Sequence, residues 1–170
     1  KYLDQVKNAI VEGVCAANES RREVTCGFGS GVEDKVAFNR RFLMRNGQTH
    51  THPGQGNPDI VCAAGPTDPE VGVVGAWNKE EQLVGCIVNF ACHATTSPGG
   101  ISANYIYYLE KVIRGALAAD AVVVFTAGAS GDVTQVDNLS PYQHPAGEQW
   151  AQLGGGRVGG GGAGGGVRAG

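Results

Sequence analysis

Leu83-Val84-Gly85-Cys86-Ile87-Val88-Asn89-Phe90-Ala91-Cys92, followed at once by His93, is the stretch on which the fold turns. A nearly unbroken apolar run of this length suits a central strand buried on both faces. Ala94-Thr95-Thr96-Ser97-Pro98-Gly99-Gly100 ends it, being too rich in Pro, Gly and hydroxyls to continue. Ser102 or Asn104 is then placed to cap a helix whose apolar stripe is Ile106, Leu109, Ile113 and Leu117. A second apolar run, Ala121-Val122-Val123-Val124-Phe125, stops at Thr126-Ala127-Gly128-Ala129-Ser130-Gly131-Asp132. Strand, helix and strand at this spacing form a βαβ unit with parallel strands and a right-handed crossover. Parallel strands end on the same edge, so His93 and the Gly128 to Asp132 turn are expected on one rim, where open α/β sheets bind ligands. An imidazole there is a metal ligand, an acid–base group, or only a hydrogen-bonding strand end.

Upstream, Val71 to Trp77 reads as the antiparallel hairpin partner of Leu83 to Cys92. The fold class is therefore α/β: a mixed β-sheet with a parallel βαβ unit and flanking helices, forming part of a domain. Leu3, Val6, Ile10 and Val14 predict a surface helix over residues 2 to 18 with one buried stripe. Glu23 to Phe28 predicts a strand that ends where Gly27-Phe28-Gly29-Ser30-Gly31 makes a turn or bulge. No helix follows those glycines, so they are not a dinucleotide fingerprint. Lys35 to Leu43 is strand-like, Asn46-Gly47 marks a tight turn, and His50 to Pro69, with four prolines, reads as a long loop. Val133 to Tyr142 does not read as a helix, whereas Gly147 to Leu153 begins one. Eleven of the last seventeen residues are glycine, each costing roughly 1 kcal/mol against Ala in a helix. Residues 1–153 are thus expected to be the domain segment and 154–170 a Gly-rich disordered tail.

At 170 residues and 42% hydrophobic, the chain can bury one core. Its net charge of −3 and scattered Lys and Arg form no basic stripe, which argues against nucleic acid as a partner. No apolar stretch reaches membrane-spanning length, and residues 1–20 show no secretory leader pattern. The five cysteines contain no C-x-x-C pair and read as structural thiols. Arg40 alternates with Val36 and Phe38 on an apolar face and so needs a partner. A structural carboxylate, Asp68 or Asp132, is favoured over an anionic or carbonyl-bearing substrate. His50-Thr51-His52 puts two imidazoles on one side of an extended segment, an arrangement shared by metal sites and exposed loops. Gly128-Ala129-Ser130-Gly131-Asp132 approaches the G-x-S-x-G nucleophile elbow, which would make Ser130 an esterase nucleophile. Asp132 stands in place of the last glycine, and no helix is predicted after it. A backbone wall at Gly128 and Gly131, with Asp132 orienting a neighbour, fits the letters better.

Taken in order, Asn39-Arg40, Asp68, Val88 to Thr96, Ile101-Ser102-Ala103 and Gly131-Asp132-Val133 resemble the amino-terminal catalytic domain of the neutral/alkaline non-lysosomal ceramidases. The resemblance covers roughly residues 1 to 140. It implies a zinc-dependent amidohydrolase that cleaves an N-acyl amide such as N-acylsphingosine with a Zn2+-activated water. It further implies His93 as a zinc ligand, Arg40 and Asp132 as catalytic residues, and Asn39, Arg40, Gly128 and Gly131 against the lipid-like substrate. An extracellular or periplasmic location follows from the same likeness. In that family a His-x-His ligand pair precedes the helix that opens this chain, whereas His50 and His52 follow Asn39-Arg40. The family's Glu and Tyr ligands lie beyond residue 170, so the remainder of the parent chain is needed to complete the site. The family's Ser-Asn corresponds here to Gly128-Ala129, and the Asp of its Ile-Ser-x-Asp motif to Asn104. A degenerate, non-catalytic binding or structural module of the same fold is the alternative those departures raise.

Overall fold

The computed structural model describes residues 1–96, 99–142 and 146–164. The apolar run around Val88 forms β7 (Leu83–Phe90), at the heart of a four-stranded sheet. Its neighbours are β6 (Glu70–Trp77), antiparallel, and β8 (Val122–Ala127), parallel, while β1 (Thr25–Val32) pairs antiparallel with the far side of β6. The mixed sheet with one parallel βαβ unit is therefore as the patterning predicts. The crossover helix α2 (Tyr105–Ala116) buries Tyr105, Leu109 and Ile113, and Asn104 caps it by accepting from Tyr105 N at 2.9 Å.

β7 is not buried on both faces. Val88 and Phe90 are fully covered, but Ile87 is 47% exposed. The helices α2 and α3 (Gly147–Gly164) lie on one face, and on the other the row Phe28, Val74, Ile87 and Val124 crosses the sheet in register, exposed. Nor does α1 (Tyr2–Glu19) bury its stripe: Leu3, Ile10 and Val14 are all exposed, and none of its residues is buried.

Two further expectations are corrected by close backbone approach. The glycines of β1 continue the strand through Val32 instead of turning it, each opposite a β6 residue. At Gly31 a Cβ would run into the Gly161 carbonyl, so a glycine is what lets α3 cross there. The supposed tail is ordered through Gly164 as the second half of α3; residues 165–170 lie outside the described residues. Nine of α3's eighteen residues are glycine, but tertiary packing offsets their poor propensity, as it often does. A Cβ at Gly155 would meet the Tyr105 carbonyl, Tyr108 Cβ at 2.6 Å and Leu109 N at 2.8 Å. One at Gly159 would lie 3.0 Å from the Leu109 carbonyl. The glycine face thus brings the two helix backbones together, while Val158, fully buried, joins the core. Arg157 fastens the same helix by pairing with Glu33 at 2.8 Å, whose carboxylate is 6% exposed and also accepts from Lys35 N.

The strand-like segment from Lys35 breaks at Arg40 into β2 (Phe38–Asn39) and β3 (Arg41–Met44). The Asn46-Gly47 turn joins β3 to β4 (Thr49–Thr51), with Gly47 at φ +79°. The long loop is partly structured, because β5 (Ile60–Ala63) pairs with β3 to make a three-stranded sheet. Finally β2 pairs with β9 (Val133–Thr134), which follows the Gly128 to Asp132 turn. No helix is long and apolar enough to cross a membrane, among the described residues.

Candidate functional site

The parallel register of β7 and β8 aligns Phe90 with Ala127, so the two strands end together. Gly128 N donates to the Phe90 carbonyl at 3.0 Å, and a Cβ at Gly128 would lie 3.1 Å from Ala91 Cα. His93 and the glycine turn consequently share one rim. His93 is half-buried, and no described residue hydrogen-bonds its ring. The backbone leading into it is held from below, since the buried Tyr105 hydroxyl donates to the Cys92 carbonyl at 3.0 Å. Burial raises the Tyr105 phenol and pushes the Cys92 thiol up to about 12. Both stay neutral near pH 7, and Cys92 is a packing group and no nucleophile.

The segment after His93 is tied to the opposite loop by a residue the sequence pattern did not single out. Gln135 Oε1 accepts from Thr95 N at 3.1 Å and from Thr95 Oγ1 at 3.3 Å, and Gln135 is 5% exposed. Thr96 Oγ1 donates to Asn104 Oδ1 at 2.9 Å, so Asn104 both caps α2 and anchors the loop. A polar residue just past a short buried strand, as in Val133-Thr134-Gln135, was the only hint of this role.

A second cluster forms where β2 meets β9. Asn39 is 5% exposed; its Nδ2 donates to Asp132 Oδ2 at 2.9 Å and to the Pro66 carbonyl at 3.2 Å, while its Oδ1 accepts from Arg41 N at 2.9 Å. Arg40 N donates to the Asp132 carbonyl at 2.7 Å, and Arg40 Nη2 to the Gly131 carbonyl at 2.5 Å. Asp132 therefore orients Asn39. Arg40 is half-buried on a backbone carbonyl and has no carboxylate partner among the described residues, contrary to the pairing with Asp68 or Asp132 read from alternation. Asp68 instead accepts from Glu70 N. A guanidinium carries five donors, and a single side-chain bond among the described residues leaves others to meet a carbonyl or anion.

The remaining candidates bring no side chain into these bonds. His50, in β4, and His52, just after it, are exposed; among the described residues the His50 ring bonds only Gln48, and His52 N donates to the Arg40 carbonyl at 2.9 Å. Ser130 is 8% exposed, and the turn after it enters β9, so the helix a nucleophile elbow requires is not there. Cys15, Cys26 and Cys62 are exposed; only Cys86 and Cys92 are buried. Among the described residues, no three His, Cys, Asp or Glu side chains come together as a metal site. A catalytic zinc takes three protein ligands and a water, so these residues alone do not fit one.

Neither a known family profile nor a curated protein sequence matches this chain. Solved structures do. One is a neutral ceramidase from Pseudomonas aeruginosa, 24% identical, with a TM-score of 0.64 over 91% of this chain and 25% of that one. Another is a ceramidase complexed with C2, 21% identical, with a TM-score of 0.65 over 91% of this chain and 24% of that one. The chain thus has a ceramidase-like fold and spans about a quarter of the length of these structures.

Proposed function

We propose that this chain is the part of a zinc-dependent N-acyl amide hydrolase that carries its His93 rim and its Arg40 substrate anchor. One observation supports the reading above all. The β2–β9 pairing and the Gln135–Thr95 bonds draw Asn39, Arg40, Gly131 and Asp132 toward the rim where the strand before His93 ends. In this reading Arg40, steadied by Gly131, presents its remaining donors to the amide carbonyl or acyl chain head of a lipid-like substrate, for which a planar fork is suited. Asn39 and Asp132 keep that arginine's backbone in place and act as positioning residues. Gly128 and Gly131 provide a wall without side chains, along which a substrate backbone can lie close.

The metal enters as a requirement on the complete protein, since the described residues gather no group of three metal-ligating side chains. In a complete protein containing this segment, we expect His93→Ala to lower bound zinc from stoichiometric to trace and to abolish release of a fluorogenic N-acyl amine. Unchanged zinc in that variant overturns the ligand role. The departures at Gly128-Ala129 and Asn104 favour a second reading, a non-catalytic binding module of the same fold. Amide turnover by the complete, zinc-loaded protein eliminates it.

A further inference from the structure

At the end of β7 opposite His93, a cavity of about 610 Å³ opens between the sheet and the helix layer. That size is ample for a small organic ligand. Trp77, Leu83, Cys86, Ile113 and Leu117 give it an apolar body. Among the described residues its only charged lining groups are two carboxylates, Glu81 and Asp120. Neither carboxylate has an ion-pair partner among the described residues. The nearby cations are engaged elsewhere: Lys79 pairs with Glu23 at 2.8 Å, and Arg114 with Glu110 at 3.0 Å and the Ala121 carbonyl at 2.9 Å. The outer edge of the Trp77 indole occupies the space that a Cβ at Gly75 would take, so the glycine makes room for the ring on this wall. An apolar body, an indole and two unpaired carboxylates complement a hydrophobic group bearing a single positive charge.

We propose that this cavity binds a lipophilic monoamine, with its ammonium between Glu81 and Asp120 and its hydrocarbon or aromatic body against Trp77, Ile113 and Leu117. The site is separate from the His93 rim and does not depend on the hydrolase reading.

The test uses three probes of one shape and different charge: 4-phenylbutylamine, 4-phenylbutanol and 4-phenylbutyrate, titrated calorimetrically into this chain near pH 7.5. We expect saturable one-to-one binding of the amine, binding of the alcohol about tenfold weaker, as two exposed charge contacts allow, and no binding of the acid. The double variant Glu81→Gln/Asp120→Asn, altered at exposed positions and checked for native circular dichroism, should lose the preference for amine over alcohol. Leu117→Trp, which fills the mouth, should lose binding of both. Equal binding of the three probes, or an amine preference that survives in the double variant, overturns the proposal. So does undiminished binding in a natively folded Leu117→Trp.

Discussion

Asn39→Asp changes one atom of a buried amide into another carboxylate oxygen, and the geometry around Asn39 makes its consequence calculable. In the native arrangement Asn39 Nδ2 donates at once to Asp132 Oδ2 and to the Pro66 carbonyl. The substitution removes both donations. The bond to a charged acceptor is worth about 1.5–3 kcal/mol and the neutral one about 1 kcal/mol. It also sets a carboxylate oxygen against Asp132 at what is now a 2.9 Å contact. Two like charges near 4 Å repel by about 4 kcal/mol at the dielectric of a protein surface, and the partial exposure of Asp132 screens some of that. A total near 5 kcal/mol is large against the roughly 5–15 kcal/mol that stabilises a domain. Asn39→Ala loses the same hydrogen bonds without the repulsion and should cost about 3 kcal/mol. The pH dependence separates the two. Carboxylates sharing a site hold one proton more tightly than they do in the unfolded chain. The folded variant therefore binds the extra proton, and the Asp variant regains stability as pH falls from 7.5 toward 5, whereas the Ala variant does not. Urea titrations followed by circular dichroism read this directly, because a loss of 5 kcal/mol moves the midpoint by roughly 2 M at ordinary slopes. If Asn39→Asp unfolds within about 0.3 M of the parent near neutral pH, or is as damaged at pH 5 as at 7.5, the Asn39–Asp132 contact is not the structural joint described here.

Three other outcomes follow from the same contacts. In α3, Gly160→Ala should stabilise the chain by about 0.5–1 kcal/mol, since a Cβ there meets nothing within 4 Å and Ala is the better helix former. Gly155→Ala should destabilise it by about 1–3 kcal/mol, because its Cβ would collide with the α2 backbone; equal effects of the two in thermal unfolding would refute the helix–helix contact. At alkaline pH the folded state keeps the Cys92 proton that the unfolded chain loses above its ordinary value of 9.0. Stability from this source is whole below pH 9 and drains away up to about 12, by as much as about 4 kcal/mol. Cys92→Ala should flatten the slope of unfolding free energy between pH 9 and 11, even though it lowers stability at pH 7 through the cavity it leaves. A fluorophosphonate probe should leave Ser130 unlabelled; stoichiometric labelling detected by peptide mass would restore the esterase reading.

The parts of the fold legible in the sequence are those where one local signal decides the outcome. Apolar runs, an Asn cap and an Asn-Gly pair placed β7, β8, α2 and the turn after β3, and the parallel crossover then had to put His93 and Gly128 on one edge. Illegible were the features that depend on a distant backbone. Nothing within Gly154 to Gly164 announces that the α2 backbone at Tyr105 and Leu109 leaves room for no side chain there. Propensity alone therefore reads those residues as a coil, and the compensating contact lies some fifty residues away in the chain. The glycines of β1 failed for the same reason.

The candidate site divides along the same line. That Asn39-Arg40 meets Gly131-Asp132 is shown by their bonds, and alternation had offered Asp132 as one partner for Arg40. Which atom bonds which could not be read, because alternation fixes a face and says nothing of the partner across it. Alternation offers Arg40 either Asp68 or Asp132 as cation to anion, yet the Asp132 carboxylate is taken by the neutral Asn39 and the guanidinium by a backbone carbonyl. That exchange carries chemical meaning. A guanidinium neutralised by Asp132 would have little left to offer a substrate, whereas one steadied by the Gly131 carbonyl keeps its full positive charge at the rim. In the function proposed above, the Asn39–Asp132 bond is what leaves Arg40 to the substrate, and breaking it should free the carboxylate to pair with the arginine.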